Sequence, residues 1–380
     1  MELKKEQSND NLKYDQLSIE LQERIKDDRK QGKINPYRCN DDMVIRRNME
    51  HDNPNLWRPA FVRDIEKIIH LPYYNRYADK TQVFSFYSND DITRRVIEGA
   101  PNLKLIACTR ATPVNVDMAA AKERGIPVLY TPGRNSDSTA EMTIGLMLSI
   151  ARKIPMAYKA LKEGKYTGNP DAHKTTKEGL KADVIWDMKM DAPYMVFKGT
   201  QLKGKSLGIL GYGSIGRRVG HIARAFGMQL LIYDPYQGEV DIEEIGIRKV
   251  NTVEELMKES DFVTCHMKVT PETTGIISKE RIALMKPTAY FINASRGAIL
   301  DEEALIEALR EKRIAGAAFD VYASEPIASN HPYVTELDNV VITPHIAGAT
   351  NDVLVNHTKQ IVSDVRRFLN GEHLLYQYRY

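Results

Sequence analysis

An arginine, a glutamate and a histidine stand just past three apolar runs of this 380-residue chain: Arg296 after YFINAS, Glu325 three residues after GAAFDVY, and His345 after NVVITP. A guanidinium can hold a carboxylate and polarise the neighbouring carbonyl, and an imidazole can carry a hydroxyl proton. A carboxylate beside that imidazole would stabilise its protonated form and raise its pKa, keeping it a competent acid near neutrality. These parts suit the interconversion of a 2-hydroxy acid and a 2-keto acid, provided that a hydride carrier lies alongside.

Lys203 to Asp234 has the features of a site for such a carrier. An apolar strand runs into GYGSIG, a helical stretch follows, and a second apolar strand closes on an acid. Gly211 permits the tight turn, Gly213 lets the backbone approach a pyrophosphate, and Gly216 lets helix and sheet pack closely. The helix opening at Ser214 and Ile215 would aim unpaired N–H groups at the phosphates. Asp234 lies 18 residues past Gly216, close to the spacing of about 20 at which a carboxylate meets a ribose 2′-OH. A carboxylate there repels a 2′-phosphate, so NAD is expected over NADP.

The elements that must position these groups alternate. Strands are predicted at Leu103–Cys108, Ile126–Tyr130, Asp261–Met267, Tyr290–Ser295, Gly316–Tyr322 and Asn339–Pro344. Helices are predicted at Val116–Arg124, from Ala140 to about Glu163 as one long element, at Val253–Lys258, from Ser278, at Asp301–Arg313 and from Thr350. Strands and helices in strict turn mean an α/β fold with a parallel sheet, here a Rossmann-type doubly wound one. In such sheets ligands bind beyond the carboxyl ends of the strands, where all three polar groups fall.

The bulk composition excludes several classes. A net charge of +2 with 27% charged residues gives no broad basic face, so no nucleic-acid partner is expected. The longest apolar run, around Met142 to Ala151, is far short of the roughly 20 residues that span a bilayer, and a cytoplasmic location without membrane contact is expected. Cys39, Cys108 and Cys265 are scattered and lack metal-ligand spacing, so neither a disulfide frame nor a metal site is expected.

Five blocks carry a resemblance to a known family: LKGKSLGILGYGSIGRRV, HMKVTPETTGIIS, INASRGAILDEEAL, AAFDVYASEP and TPHIAGAT. They are similar to the D-isomer-specific 2-hydroxyacid dehydrogenases, over about residues 93–371. The resemblance implies an NAD-dependent enzyme of the phosphoglycerate dehydrogenase or hydroxypyruvate/glycerate reductase kind, acting on a small 2-hydroxy or 2-keto acid. It also implies a homodimer built largely through the long helix beginning near Ala140. By resemblance Arg296 binds substrate, His345 is the acid/base and Glu325 its partner. Ser214, Ile215, Asp234, Ala294, Asp320 and Gly348 would line the NAD site. The family's glycine-rich substrate loop is here Arg110, Ala111, Thr112 and Pro113, of which the first three are candidate substrate-binding residues.

The domains expected are an N-terminal helical extension (1–92), an incomplete flavodoxin-like substrate domain (93–135 with 346–380), and an NAD-binding Rossmann domain (136–345). The family's first two βα units are not evident in the sequence, so a catalytically impaired NAD-binding protein is the alternative. The β-prone TQVFSFY (81–87) could supply a stand-in edge strand. Residues 58–95 are similar to the opening of an HD-domain phosphohydrolase of the dGTPase-like kind, a remote alternative. The metal ligands that would follow Arg94 and Arg95 are absent from the sequence.

Overall fold

The structure, a computed structural model, describes the backbone of residues 83–86 and all of residues 91–167, 190–238 and 247–379. Most of the HD-like stretch therefore lies outside the described residues. The chain divides into two compact units, one of 1–134 with 354–380 and one of 135–353.

In the smaller unit three parallel strands lie in the order β1 (Val83–Phe86), β2 (Leu105–Cys108), β3 (Val128–Leu129). Alternate residues of β2 serve two cores, as a period of two requires. Ile106 and Cys108 pack with Ile92, Val96 and Ile97, while Leu105 and Ala107 pack with Leu129, Ile361 and Val365. Both faces are covered, which is why the strand reads as an unbroken apolar run. β1 pairs with β2 along its whole length, Val83 opposite Leu105. The TQVFSFY segment therefore joins this sheet, and a boundary at 92/93 would cut through it. Arg94, read as half of an HD-type arginine pair, instead forks onto Glu123, with Nη1 and Nη2 at 2.6 and 3.0 Å from its carboxylate. The C-terminal tail covers the free edge of β3: Tyr130 N–H donates to Tyr376 O and Tyr378 N–H to Val128 O. The buried Asp364 carboxylate accepts from the Leu375 and Tyr376 amides and ties the tail down.

His357, on the helix Asn351–Leu369, is fully buried with Nδ1 3.2 Å from Arg134 Nη1. Burial, then the Arg134 cation, pushes its pKa down to about 4 from 6.5. The unfolded chain takes up this proton below about pH 6.5 and the native state only near 4, so stability falls as pH drops through that window. Urea unfolding should show a loss of roughly 2 kcal/mol between pH 7 and pH 5 from this group. His357→Asn should flatten that dependence; an unchanged slope would show that His357 is not the group responsible.

The larger unit is a seven-stranded parallel sheet in the order β10-β9-β8-β7-β4-β5-β6. Its strands are β4 (Ser206–Leu210), β5 (Gln229–Tyr233), β6 (Arg248–Lys249), β7 (Phe262–Cys265), β8 (Tyr290–Asn293), β9 (Gly316–Phe319) and β10 (Val340–Ile342). The strand order reverses between β4 and β7, the crevice where such sheets take ligands. Apolar clusters cover both faces, one centred on Phe291, Phe319 and Leu305, the other on Ile209, Phe262 and Met147.

Three expectations are corrected here. The helix predicted from Ala140 to Glu163 is two helices, Ser136–Ala151 and Ile154–Lys162, broken at Lys153, whose φ is 53°. Pro155 has no N–H to give the preceding turn, and the freed Ala151 carbonyl accepts from Thr200 N–H at 2.9 Å instead. β8, β9 and β10 stop two or three residues short of their predicted ends, because Ala294–Ser295, Asp320–Tyr322 and Thr343–Pro344 turn away from the sheet. The smaller unit regains the chain at Leu354 rather than 346, since Asp320 holds the Ile346 and Ala347 amides to the larger one.

Candidate active site

The glycine loop leaves β4 with Gly211 at φ 89°, its N–H on Tyr233 O. Asp234, nearly buried, accepts from Tyr212 N–H at 2.7 Å on one oxygen and from Tyr236 N–H at 2.9 Å on the other. A carboxylate takes about four hydrogen bonds, so room remains on each oxygen for a further donor. Gly216 sits where a Cβ would fall 2.2 Å from Gly211 O, whereas a Cβ on Gly213 would meet nothing within 4 Å. The helix Ser214–Ala225 thus begins against a bare backbone cradle. That cradle, with the anchored acid, fits a dinucleotide pyrophosphate and ribose. Ser214 Oγ lies 2.8 Å from Ser136 Oγ and accepts from Arg218, which also holds Asp137 at 2.5 Å. Ile215 packs on the apolar cluster beneath.

Arg296, Glu325 and His345 follow the carboxyl ends of β8, β9 and β10, and the Arg296 guanidinium donates to Ser295 O at 2.6 Å. His345 Nδ1 and Glu325 Oε2 are 2.6 Å apart. An ionised carboxylate can only accept, so Nδ1 carries the hydrogen and Nε2 is the nitrogen free to exchange a proton. The His345 side chain is 46% exposed, so a small substrate can reach it. Burial acts to raise the Glu325 pKa, but the His345 hydrogen bond, the Tyr322 N–H bond and the charges of His345 and Arg296 together hold it below the ordinary 4.5. The guanidinium therefore lies within electrostatic reach of the pair.

His345 has φ 55°, a left-handed conformation that costs an L-residue about 1 kcal/mol. Asp320 maintains it. Its fully buried carboxylate accepts from Thr343 Oγ1 at 2.6 Å, Ile346 N–H at 2.8 Å and Ala347 N–H at 2.7 Å. Asp320 therefore organises the histidine loop. Asn293, fully buried at the end of β8, does the same for Arg296: its Oδ1 accepts from Ser295 N–H and Oγ, and its Nδ2 donates to Arg296 O. Asn293 and Tyr322 escaped the sequence reading. The one signal for Asn293 was an amide closing an otherwise apolar strand, a polar group that burial obliges to find partners. Ala294 is buried beyond β8, and Gly348 packs on Asn135, whose Nδ2 would lie 2.7 Å from a Cβ at 348. Arg110, Ala111 and Thr112 follow β2 in the smaller unit, where Arg110 O accepts from Thr131 N–H. No cluster that could hold a metal ion occurs among the described residues.

The family described as D-isomer specific 2-hydroxyacid dehydrogenase, NAD binding domain, matches residues 144–347. The chain belongs to that family. It carries the family's NAD-binding domain on the parallel α/β sheet described above. D-3-phosphoglycerate dehydrogenase of Methanocaldococcus jannaschii is 40% identical over 285 residues, 75% of this chain and 49% of that protein. Glyoxylate reductase of Korarchaeum cryptofilum is 34% identical over 323 residues, 85% of this chain and 88% of that protein. A D-lactate dehydrogenase from Aquifex aeolicus, crystallised with NAD and lactic acid, superposes with a TM-score of 0.59 at 28% identity, covering 78% of this chain and 86% of that one. The chain spans about half the length of the phosphoglycerate dehydrogenases it matches. A match covering 85% of the chain must begin ahead of Thr93, so the family likeness extends further upstream than the motifs suggested. The HD-domain resemblance receives no support from these relatives.

Proposed function

We propose that the chain is an NAD-dependent oxidoreductase interconverting a D-2-hydroxy acid and its 2-keto acid, of the phosphoglycerate dehydrogenase or glyoxylate/hydroxypyruvate reductase kind. The observation that carries this reading is the 2.6 Å His345–Glu325 pair, within reach of the Arg296 charge and on the same sheet as the glycine cradle. When bound, NAD supplies or accepts the hydride; Gly211, Gly213, Ser214, Ile215 and Gly216 would receive its pyrophosphate and Asp234 its ribose. Arg296 holds the substrate carboxylate and polarises the 2-oxo group. His345 Nε2 gives that oxygen its proton in reduction and removes it in oxidation. Glu325 keeps Nδ1–H in place and balances the imidazolium charge. Arg110, Ala111 and Thr112 are the substrate-loop candidates that the family resemblance implies.

A homodimer is part of this proposal. Ile154, Tyr158 and Leu161 are each more than half exposed at helical spacing on Ile154–Lys162, and Tyr194 is likewise exposed on Pro193–Val196. Apolar surface of this kind marks an interface; a monomer in equilibrium sedimentation would refute the dimer. A cytoplasmic location fits Cys108 and Cys265, both buried and unbridged. Among the described residues no helix is long and apolar enough to cross a membrane.

The deciding experiment is a kinetic survey of glyoxylate, hydroxypyruvate, 3-phosphohydroxypyruvate and pyruvate with NADH and NADPH in parallel. Turnover of at least one acid with NADH preferred is expected. NADH binding without turnover of any would return the chain to the impaired-enzyme alternative, and a preference for NADPH would overturn the role given to Asp234.

A further inference from the structure

Tyr322 touches the supports of all three side chains of the site. Its main-chain N–H donates to Glu325 Oε1 at 3.1 Å. Its phenol O–H donates at 2.8 Å to Thr343 O, the same carbonyl that receives His345 N–H at 3.0 Å. Its own carbonyl lies against the turn after Arg296, where a Cβ on Gly297 would fall 2.0 Å from Tyr322 O. The residue is almost wholly buried, so these contacts do not compete with solvent. We propose that Tyr322 is a positioning residue that fixes the histidine loop against the glutamate through its hydroxyl, setting the alignment of His345 for proton transfer.

The chemistry suits the task. A phenol presents one directed O–H to a carbonyl that would otherwise have only the His345 amide to hold it. Burial, then the Asp320 carboxylate, pushes the Tyr322 pKa up to about 12, so the hydroxyl keeps its hydrogen across the working range. Phenylalanine would fill the same volume and keep both main-chain contacts, losing only the bond to Thr343. Asp320 would still hold the loop at Thr343 Oγ1, Ile346 and Ala347, so the loop would stay folded while the Thr343 carbonyl lost one of its two donors.

The inference rests on the oxidoreductase reading, and two measurements on the full chain keep the two separable. In kinetics, Tyr322→Phe should lower kcat for keto-acid reduction about tenfold, with the Kd for NADH and the thermal midpoint unchanged. In a Glu325→Gln background the same change should have little further effect, because both act through one pair. Unaltered kcat, additive losses, or a kcat loss matched by weaker NADH binding would overturn the proposal. In ¹⁵N-histidine-labelled protein without ligand, the downfield Nδ1 proton of His345, assigned by its loss in Glu325→Gln, should move or broaden in Tyr322→Phe. An unmoved resonance would overturn the proposal even if no keto acid were turned over by the wild type, an outcome that would refute the oxidoreductase reading alone.

Discussion

His345→Gln should reduce kcat for keto-acid reduction about a thousandfold while leaving the Kd for NADH within a factor of about two, because general acid–base groups of this kind contribute roughly 10²–10⁴. Glutamine keeps a polar side chain of similar reach but has no proton to exchange at that position. The left-handed backbone at 345 is held by Asp320 and the Thr343 carbonyl rather than by the imidazole, so the fold should survive the change. Glu325→Gln should cost less, about tenfold to a hundredfold, since it removes a partner and not the transferring group. The pH behaviour follows from the same pair. Glu325 is held below the ordinary carboxylate value of 4.5, so what its charge contributes is fully present above that value and is lost as pH falls beneath it. Between pH 5 and 8 the carboxylate therefore stays ionised, so its own titration adds nothing to any pH dependence of kcat in that range. Pre-steady-state reduction followed by NADH absorbance measures both variants; a His345→Gln enzyme with near wild-type turnover would remove the histidine from the mechanism.

What the sequence made legible were features whose partners lie nearby in the chain or whose chemistry demands a fixed spacing. The glycine loop and its acid belong to the first kind, for Tyr212 and Asp234 sit within one βαβ unit. The three polar residues at strand ends were legible because a parallel sheet gathers those ends, whatever the distance in sequence. Asp320 was noticed through resemblance, yet its oxygens are engaged by Thr343, Ile346 and Ala347, main-chain and hydroxyl donors more than twenty residues on. Such bonds leave no trace in residue type. Tyr322 was hidden for the same reason, since its hydroxyl meets a carbonyl and every residue has one. The broken helix was a different failure. Apolar periodicity persisted through Lys153, and the proline that ends the first helix was outweighed by it. Strand ends were overrun because Ala294, Val321 and Tyr322 are buried apolar residues, no different in type from those of the strands they follow.

The second large effect belongs to the cradle, where two glycines that look alike in sequence should fail differently. Gly213 has φ −79° and ψ −154°, an extended conformation open to any residue, and a Cβ there would meet no protein atom within 4 Å. Gly213→Ala should therefore fold with an unchanged thermal midpoint. Its methyl would still stand in the space the pyrophosphate must occupy, and NADH binding should weaken about a hundredfold, roughly 2.7 kcal/mol. Gly216 is confined instead by the protein itself, with Gly211 O 2.2 Å from a Cβ, a main-chain atom that cannot swing aside. Gly216→Ala must push the helix from the loop, costing roughly 1–3 kcal/mol of stability as overpacking does and losing NADH binding with it. Isothermal titration paired with thermal unfolding separates the two. Gly213→Ala binding NADH as the wild type does would mean that the phosphates do not pass over residue 213, and the dinucleotide would then have to lie elsewhere on the sheet.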